Sequence, residues 1–132
     1  MTGAIPQTHQ SLVDFALTLP GAYLDHPWGE DVMKVNKKVF VFFGLPERLD
    51  TRLLLGVKLP RTGEYALDMP GCKPMGYGLG KSGWVQAEFG PDEIPPADLL
   101  FEWIEESYRS VAPKRLIAQL EEARGSSIPD IV

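Results

Sequence analysis

The residues with the clearest chemical potential lie in a glycine-rich segment, Gly76 to Gly83, which ends in Gly80-Lys81-Ser82-Gly83. Glycine followed by Lys-Ser is typical of loops that bind phosphate at the start of a helix. A P-loop would need its first glycine at position 75, where this chain has Met75. Both the P-loop and the Gly-x-Gly-x-x-Gly spacing need a following helix, whereas the residues after Gly83 are predicted to be extended. We therefore expect no nucleotide-binding loop here.

Two interpretations of these glycines remain open. They occupy positions where the backbone needs a positive φ or close packing. Alternatively, they form a loop at the edge of a sheet that approaches a ligand closely. In that case Tyr77, Lys81 and Trp84 would supply aromatic rings and charge.

Other groups that could perform chemistry are few. His9 and His26 are the only histidines and Cys72 is the only cysteine, and no pair of them has the spacing of a metal site. His26 could form a base–orienter pair with Asp25, although adjacent residues of an extended chain usually point apart. A neighbouring lysine could lower the pKa of Cys72, but a structural cysteine is the simpler interpretation. We predict no catalytic residue, cofactor or metal. An enzyme that uses His26, Asp25 or Cys72 is the least favoured hypothesis for the function.

Basic residues are concentrated in the middle of the chain. Residues 34–81 hold nine Lys or Arg against four acidic residues, whereas residues 82–108 hold seven acidic residues and no base. The net charge of the whole chain is −5, which argues against indiscriminate binding to nucleic acid. Lys37 and Lys38 fall at the predicted tip of a hairpin, where such charges can meet phosphates or simply protect a sheet edge.

Length and composition predict a single soluble domain spanning residues 1–132. The core is expected from about residue 8 to 124, with a loose tail over 125–132. A lone cysteine fits a reducing compartment, and no apolar run reaches the length of a membrane span. We expect a cytoplasmic monomer.

The pattern of apolar residues predicts a helix followed by strands and then two helices. The first helix covers Leu12 to Leu19, with Thr8 or Ser11 as a possible cap, and ends at Pro20-Gly21. Residues 22–29 are predicted as an extended link, 31–44 as a hairpin, 45–52 as a loop, 53–59 as a strand and 84–89 as a strand. Residues 65–69 are ambiguous between helix and strand.

The strand from Val39 to Phe43 is apolar on both predicted faces, with Val39, Val41 and Phe43 on one and Phe40 and Phe42 on the other. This pattern predicts a central strand that is covered on both faces, or one whose second face meets a partner. After Pro95-Pro96, an amphipathic stripe predicts a helix that stops at Pro113, and a shorter one ends near Gly125. Segregated elements of this kind predict an α+β fold, with an antiparallel β-sheet against which an N-terminal helix and two C-terminal helices pack.

Five groups of short motifs follow one another along the chain. They are His26-Pro27-Trp28-Gly29, Met33-Lys34-Val35 with Lys38-Val39-Phe40, Val57-Lys58, Gly78-Leu79-Gly80-Lys81 with Trp84-Val85, and Glu106-Ser107-Tyr108-Arg109 with Val111. In this order they resemble the MmcQ/YjbR family over about residues 19–120. The resemblance implies a CyaY-like two-layer α+β fold and a DNA-binding role with a double-wing arrangement, with no catalytic residues.

By this resemblance, the Lys37-Lys38 hairpin is one wing and the Gly76–Gly83 loop is the other. The DNA-binding residues that it implies are Lys34, Lys37, Lys38, Lys58, Lys81 and Trp84. At most about five phosphate contacts are available, which predicts weak, salt-sensitive binding to DNA that is largely independent of sequence. The alternative is a module that binds a small ligand or a protein on its sheet face. Tyr23, Trp28, Tyr77, Trp84 and the apolar strand Val39–Phe43 favour that alternative.

Overall fold

The computed structural model describes residues 4–44, 51–76 and 78–127, without the side chains of residues 28, 126 and 127. The helices are α1 (Ala4–Leu17), α2 (Gly63–Leu67), α3 (Ala97–Val111) and α4 (Lys114–Ser127). The strands are β1 (Tyr23–Asp25), β2 (Asp31–Val35), β3 (Lys38–Gly44), β4 (Leu53–Lys58), β5 (Cys72–Pro74) and β6 (Trp84–Phe89). Short 3₁₀ turns cover Pro27–Gly29 and Leu79–Ser82.

The six strands form one open antiparallel sheet in the order β1-β2-β3-β4-β6-β5. Alternation along β4 and β6 divides the side chains between two faces. One face carries the buried residues Leu53, Leu55, Val57, Val85 and Ala87, and the helices pack against it. The residues between them point to the other face, which we call the open face. They are Leu54, Gly56 and Lys58 of β4 and Trp84, Gln86 and Glu88 of β6. The α+β class and the arrangement of elements predicted from the sequence are confirmed.

The middle strand β3 departs from simple alternation. Met33 pairs with Val41 and Lys34 pairs with Val39, which leaves Phe40 as the extra residue of a β-bulge. Phe40, Val41 and Phe43 are therefore all buried in the helix-side core, whereas Val39 lies beside Lys34 on the open face. The predicted division of faces is wrong for Phe40 and for Val39. β3 is central as predicted, because it lies between β2 and β4, but the described helices cover one face of the sheet and not both.

The helix layer is held to the sheet by one apolar cluster. From α1 it takes Ile5, Leu12, Val13 and Ala16, and from α3 it takes Leu100, Trp103, Ile104 and Tyr108. Leu116 and Leu120 of α4 join the same cluster. Burial of these side chains stabilises the fold by roughly 1.5–3 kcal/mol each before entropy is counted.

Two short edge strands were not predicted. The segment expected to be an extended link contains β1, and the segment broken by Pro70, Gly71 and Pro74 contains β5. Proline is compatible with an edge strand because one side of that strand makes no ladder hydrogen bonds. The ambiguous residues after Gly63 form α2, and Pro113 separates α3 from α4 as predicted.

The ends of the helical elements differ slightly from the predictions. The first helix begins at Ala4, before the predicted caps, and Pro6 is tolerated in its first turn, where N–H groups have no intrahelical partner. Ile5, ahead of the predicted start of the core, is buried. The last helix runs to Ser127 rather than ending near Gly125. Most of the predicted loop at 45–52 and of the predicted tail lies outside the described residues. Among those that are described, no helix is long and apolar enough to cross a membrane.

Candidate nucleic-acid interface

The hairpin between β2 and β3 ends in a two-residue turn. Asn36 and Lys37 have φ angles of 52° and 66°, the left-handed conformation that a type I′ turn requires at both positions. Asparagine tolerates this conformation well, which explains why the strands reverse here. The side chains of Lys37 and Lys38 are exposed at the tip.

The glycine-rich segment forms a second projection beside the end of β4. Gly78 and Gly83, which flank the 3₁₀ turn Leu79–Ser82, both adopt the left-handed conformation. The amide of Leu59 donates a hydrogen bond of 2.8 Å to the carbonyl of Gly83 and ties this turn to the end of β4. The residues after Gly83 are extended as expected, so the nucleotide-binding motifs lack their helix, and Lys81 is exposed. Tyr77 lies outside the described residues.

The two projections lie at the same end of the sheet. Lys38 begins β3, Lys58 ends β4, and Lys58 pairs with Trp84 at the start of β6. Because only β4 separates β3 from β6, their backbones are about 10 Å apart. Lys34 and Lys58 extend from the open face, whereas Lys38 pairs with the buried Val35 and leaves the sheet on the helix side. The lysines therefore converge on one end of the sheet rather than on one face.

One of the predicted lysines is already neutralised. The ammonium of Lys34 lies 2.7 Å from Asp25 Oδ2. This hydrogen bond raises the pKa of Lys34 and lowers that of Asp25. By contrast, no carboxylate of the described residues lies within 4.0 Å of the ammonium groups of Lys37, Lys38, Lys58 or Lys81. Those four lysines carry the available positive charge of this end.

The predicted aromatic contact residue is mostly enclosed. Trp84 is 9% exposed, and its ring meets the ring of Phe42 edge-on at a centroid distance of 5.3 Å. This packing supports the start of β6, where the second projection returns to the sheet. Of the aromatic residues that favoured a ligand on the sheet face, Tyr23 is 40% exposed on β1.

The acidic side chains gather largely on the opposite layer. The outer side of α3 carries Asp98, Glu102, Glu105 and Glu106. The exposed carboxylates of α3 thus lie on the helix layer, to which Lys38 of the basic end also points.

The candidate catalytic residues do not form the predicted pairs. His26 Nδ1 lies 2.5 Å from Asp31 Oδ1, whereas Asp25 Oδ1 accepts a hydrogen bond from the backbone amide of His26. Asp31, and not Asp25, is therefore the partner of the His26 imidazole. The hairpin register that brings Asp31 to His26 could not be predicted from the sequence. Burial raises the pKa of the Cys72 thiol, opposite to the predicted effect of a neighbouring lysine. No cluster of metal-ligating side chains occurs in the described part of the chain.

The last family motif consists of anchors for α3. Glu106 accepts hydrogen bonds from the amides of Arg61 and Thr62 and from the hydroxyl of Thr62, at 2.7–3.1 Å. Ser107 links β3 to β4, and the hydroxyl of Tyr108 donates to the carbonyl of Pro20 at 2.6 Å. Arg109 forms ion pairs with Glu105 and Glu121. Glu106 thus fixes the turn before α2 to α3.

A cavity of about 320 Å³ lies on the open face, between the sheet and the start of the second projection. Phe42, Gly56, Met75 and Leu79 supply apolar walls, and Gln86 supplies a polar group. A Cβ atom at Gly56 would lie 2.2 Å from Met75 Cε and 3.1 Å from Phe42 Cβ, so a larger residue here would displace the Met75 side chain and crowd Phe42. A glycine inside an apolar strand was the available signal for this cavity, and the sequence interpretation missed it.

These features define a two-layer α+β protein with an open antiparallel sheet and two basic projections at one end. The chain belongs to the YjbR family, whose family model matches residues 17–110. This match confirms the resemblance seen in the sequence motifs. No curated protein matches the chain.

Proposed function

We propose that this protein is a non-enzymatic DNA-binding module that holds the phosphate backbone between its two basic projections. The observation that supports the proposal is the convergence of Lys37, Lys38, Lys58 and Lys81 at one end of the sheet, with no carboxylate of the described residues paired to them. Unpaired lysines on rigid turns meet phosphates without first breaking an ion pair.

The number of lysines limits the strength of this interaction. Four phosphate contacts correspond to a slope of about −3.6 in a plot of log K against log salt concentration. Non-specific affinities of this kind have Kd values of about 10⁻⁴ to 10⁻⁶ M at physiological salt. No base-reading side chain is part of the proposal, so binding is largely independent of sequence. The acidic surface of α3 disfavours any other orientation on DNA.

Fluorescence anisotropy of a labelled generic duplex tests the proposal at low and moderate salt. Lys37→Glu combined with Lys38→Glu should weaken binding at least tenfold and flatten the salt dependence. The matched control is Lys114→Glu combined with Arg115→Glu, an identical charge change at exposed positions of α4. Equal losses in the two double variants would indicate a net-charge effect only, and no binding at low salt would refute the proposal.

A second candidate function is the binding of a small ligand in the open-face cavity. Its volume of about 320 Å³ is at the lower end of small-molecule sites, which are about 300–1,000 Å³. Ligand-observed NMR with a fragment library tests this function. Hits should bind the wild type and the hairpin double variant equally, and Gln86→Trp, which fills the cavity, should abolish binding. Hits that survive Gln86→Trp, or a screen without hits, would count against it.

A further inference from the structure

A larger cleft lies on the other layer, far from the open face. It measures about 910 Å³ and is bordered by α1, by α2 with the turn before it, and by α3. Phe15 and Phe101 form its floor as a stacked pair with ring centroids 4.6 Å apart. Both rings are only partly buried, as are Leu99 and Met69 beside them. Apolar surface of this kind gains free energy when a partner covers it.

One exposed ring extends the apolar surface to the rim. Tyr65 on α2 is 76% exposed, the highest value among the large hydrophobic side chains of the described residues. Tyrosine is enriched in protein interfaces because its ring is rigid and its hydroxyl remains satisfied when the ring is covered.

Among the described residues, the charged side chains of the cleft are four carboxylates and the guanidinium groups of Arg61 and Arg109, so the lining is net acidic. Glu105, Glu106 and Arg109 are engaged within the protein: Glu106 holds the turn before α2, and Glu105 and Arg109 pair with each other and with α4. Asp98 and Glu102 have no cation of the described residues within 4.0 Å. They are exposed, and their spacing of four residues places them one above the other on α3.

We propose that this cleft is a docking site for a cationic amphipathic segment of a partner protein. The apolar face of the segment covers Phe15, Phe101 and Tyr65, and Lys or Arg side chains one helical turn apart reach Asp98 and Glu102. Helices that dock in grooves use apolar anchors at this spacing. Four carboxylates against two guanidinium groups make the lining a poor site for phosphate, so this cleft is not part of the proposed DNA contact. A partner could therefore bind while the basic end is occupied.

Selection from a display library of random peptides against the whole protein tests this proposal without any nucleic acid, so its result is independent of the DNA experiment. The enriched peptides should combine apolar residues with Lys or Arg. Their Kd should rise at least tenfold in a variant carrying Asp98→Lys and Glu102→Lys, and also rise in Tyr65→Ala. The charge-matched control, Asp14→Lys with Asp92→Lys, changes exposed residues that do not line the cleft and should leave the Kd within twofold.

Amide chemical-shift changes on peptide binding should concentrate in α2 and in the first two turns of α3. If the lysine substitutions disturb the start of α3, the neutral variant with Asp98→Asn and Glu102→Gln provides the same comparison. A library that yields no enrichment, enriched peptides without a basic bias, or equal affinity for the cleft and control variants would each overturn the proposal.

Discussion

The hydroxyl of Ser107 donates a hydrogen bond of 2.5 Å to the carbonyl oxygen of Phe40, the residue at the β-bulge of β3. The same hydroxyl accepts a hydrogen bond of 2.8 Å from the amide of Lys58. Val41 and Val57 are the last paired residues of β3 and β4 at this end, and Ser107, fully buried, bridges the next two residues, Phe40 and Lys58, with both a donor and an acceptor. This contact joins α3 to the two strands from which Lys38 and Lys58 extend.

Ser107→Ala should lower the free energy of unfolding by about 1–3 kcal/mol, because a buried amide and a buried carbonyl lose their partner. Urea denaturation measures this change. Ser110→Ala is the matched control, since Ser110 bonds only to the carbonyl of Ser107 within the helix and should change stability by less than about 0.5 kcal/mol. Equal effects of the two substitutions would contradict the bridging role.

Glu106→Gln should loosen the turn before α2. The carboxylate binds the amides of Arg61 and Thr62, and bonds to a charged acceptor are worth about 1.5–3 kcal/mol. Hydrogen exchange at these two amides should accelerate at least tenfold in the variant. Glu102→Gln, an identical change one turn earlier on α3, should leave their exchange unaltered; acceleration in both variants would assign the effect to general loss of charge.

Gly71→Ala should be strongly destabilising. Gly71 has a φ of +90°, and an added Cβ would lie 2.5 Å from the carbonyl oxygen of Glu88 in β6. Backbone strain and the clash together should cost more than about 2 kcal/mol, measured by thermal or urea unfolding. Gly76→Ala is the control, because Gly76 has no positive φ and nothing within 4 Å of an added Cβ. A loss of similar size at Gly76 would show that the strain argument is wrong.

The stability of the protein should fall as pH decreases through about 6.5 because of His9. Burial lowers the pKa of His9 below its ordinary value of 6.5, an effect that the nearby Asp31 opposes. The unfolded chain therefore binds the proton more readily than the folded protein, and protonation favours unfolding. Asp31 is the charged group that acts on this ring, and Phe43 meets the ring edge-on.

Urea denaturation on both sides of pH 6.5, combined with NMR titration of the His9 ring, measures this effect. His9→Gln should remove part of the slope in stability against pH. An unchanged slope in the variant, or a titration midpoint at or above 6.5, would contradict the prediction.

Local patterns in the sequence were sufficient for the central elements of the fold. Asn36 with its flanking apolar runs predicted the β2–β3 hairpin, because few residues tolerate the left-handed turn conformation. The stripe from Leu100 to Tyr108 predicted α3, and Pro113 predicted where it ends. The residues after the glycines around Lys81 were predicted to form a strand, and this correctly excluded a nucleotide-binding helix at that position.

Edge strands and side-chain partners were not predictable in the same way. The three residues of β5 become a strand only because the amide of Glu88 and the carbonyl of Gly71 meet across the sheet. Asp31 became the partner of His26 only through the register of the hairpin and the turn at Pro27. Such pairings join residues that are distant in sequence. A short segment of sequence therefore does not include both partners, and their interaction cannot be predicted from it.

The sequence by itself determined the α+β class, the family and the basic character of the middle of the chain, since periodicity, turn chemistry and charge are properties of neighbouring residues. Only the tertiary structure decided which charges remain available. Lys34 is paired with Asp25 of the adjacent strand, and Glu106 accepts hydrogen bonds from the turn before α2. Asp98 and Glu102 have no cation of the described residues within 4.0 Å. Whether a charge is engaged depends on distances of a few ångströms across the fold, because Coulomb and hydrogen-bond energies fall away over that range.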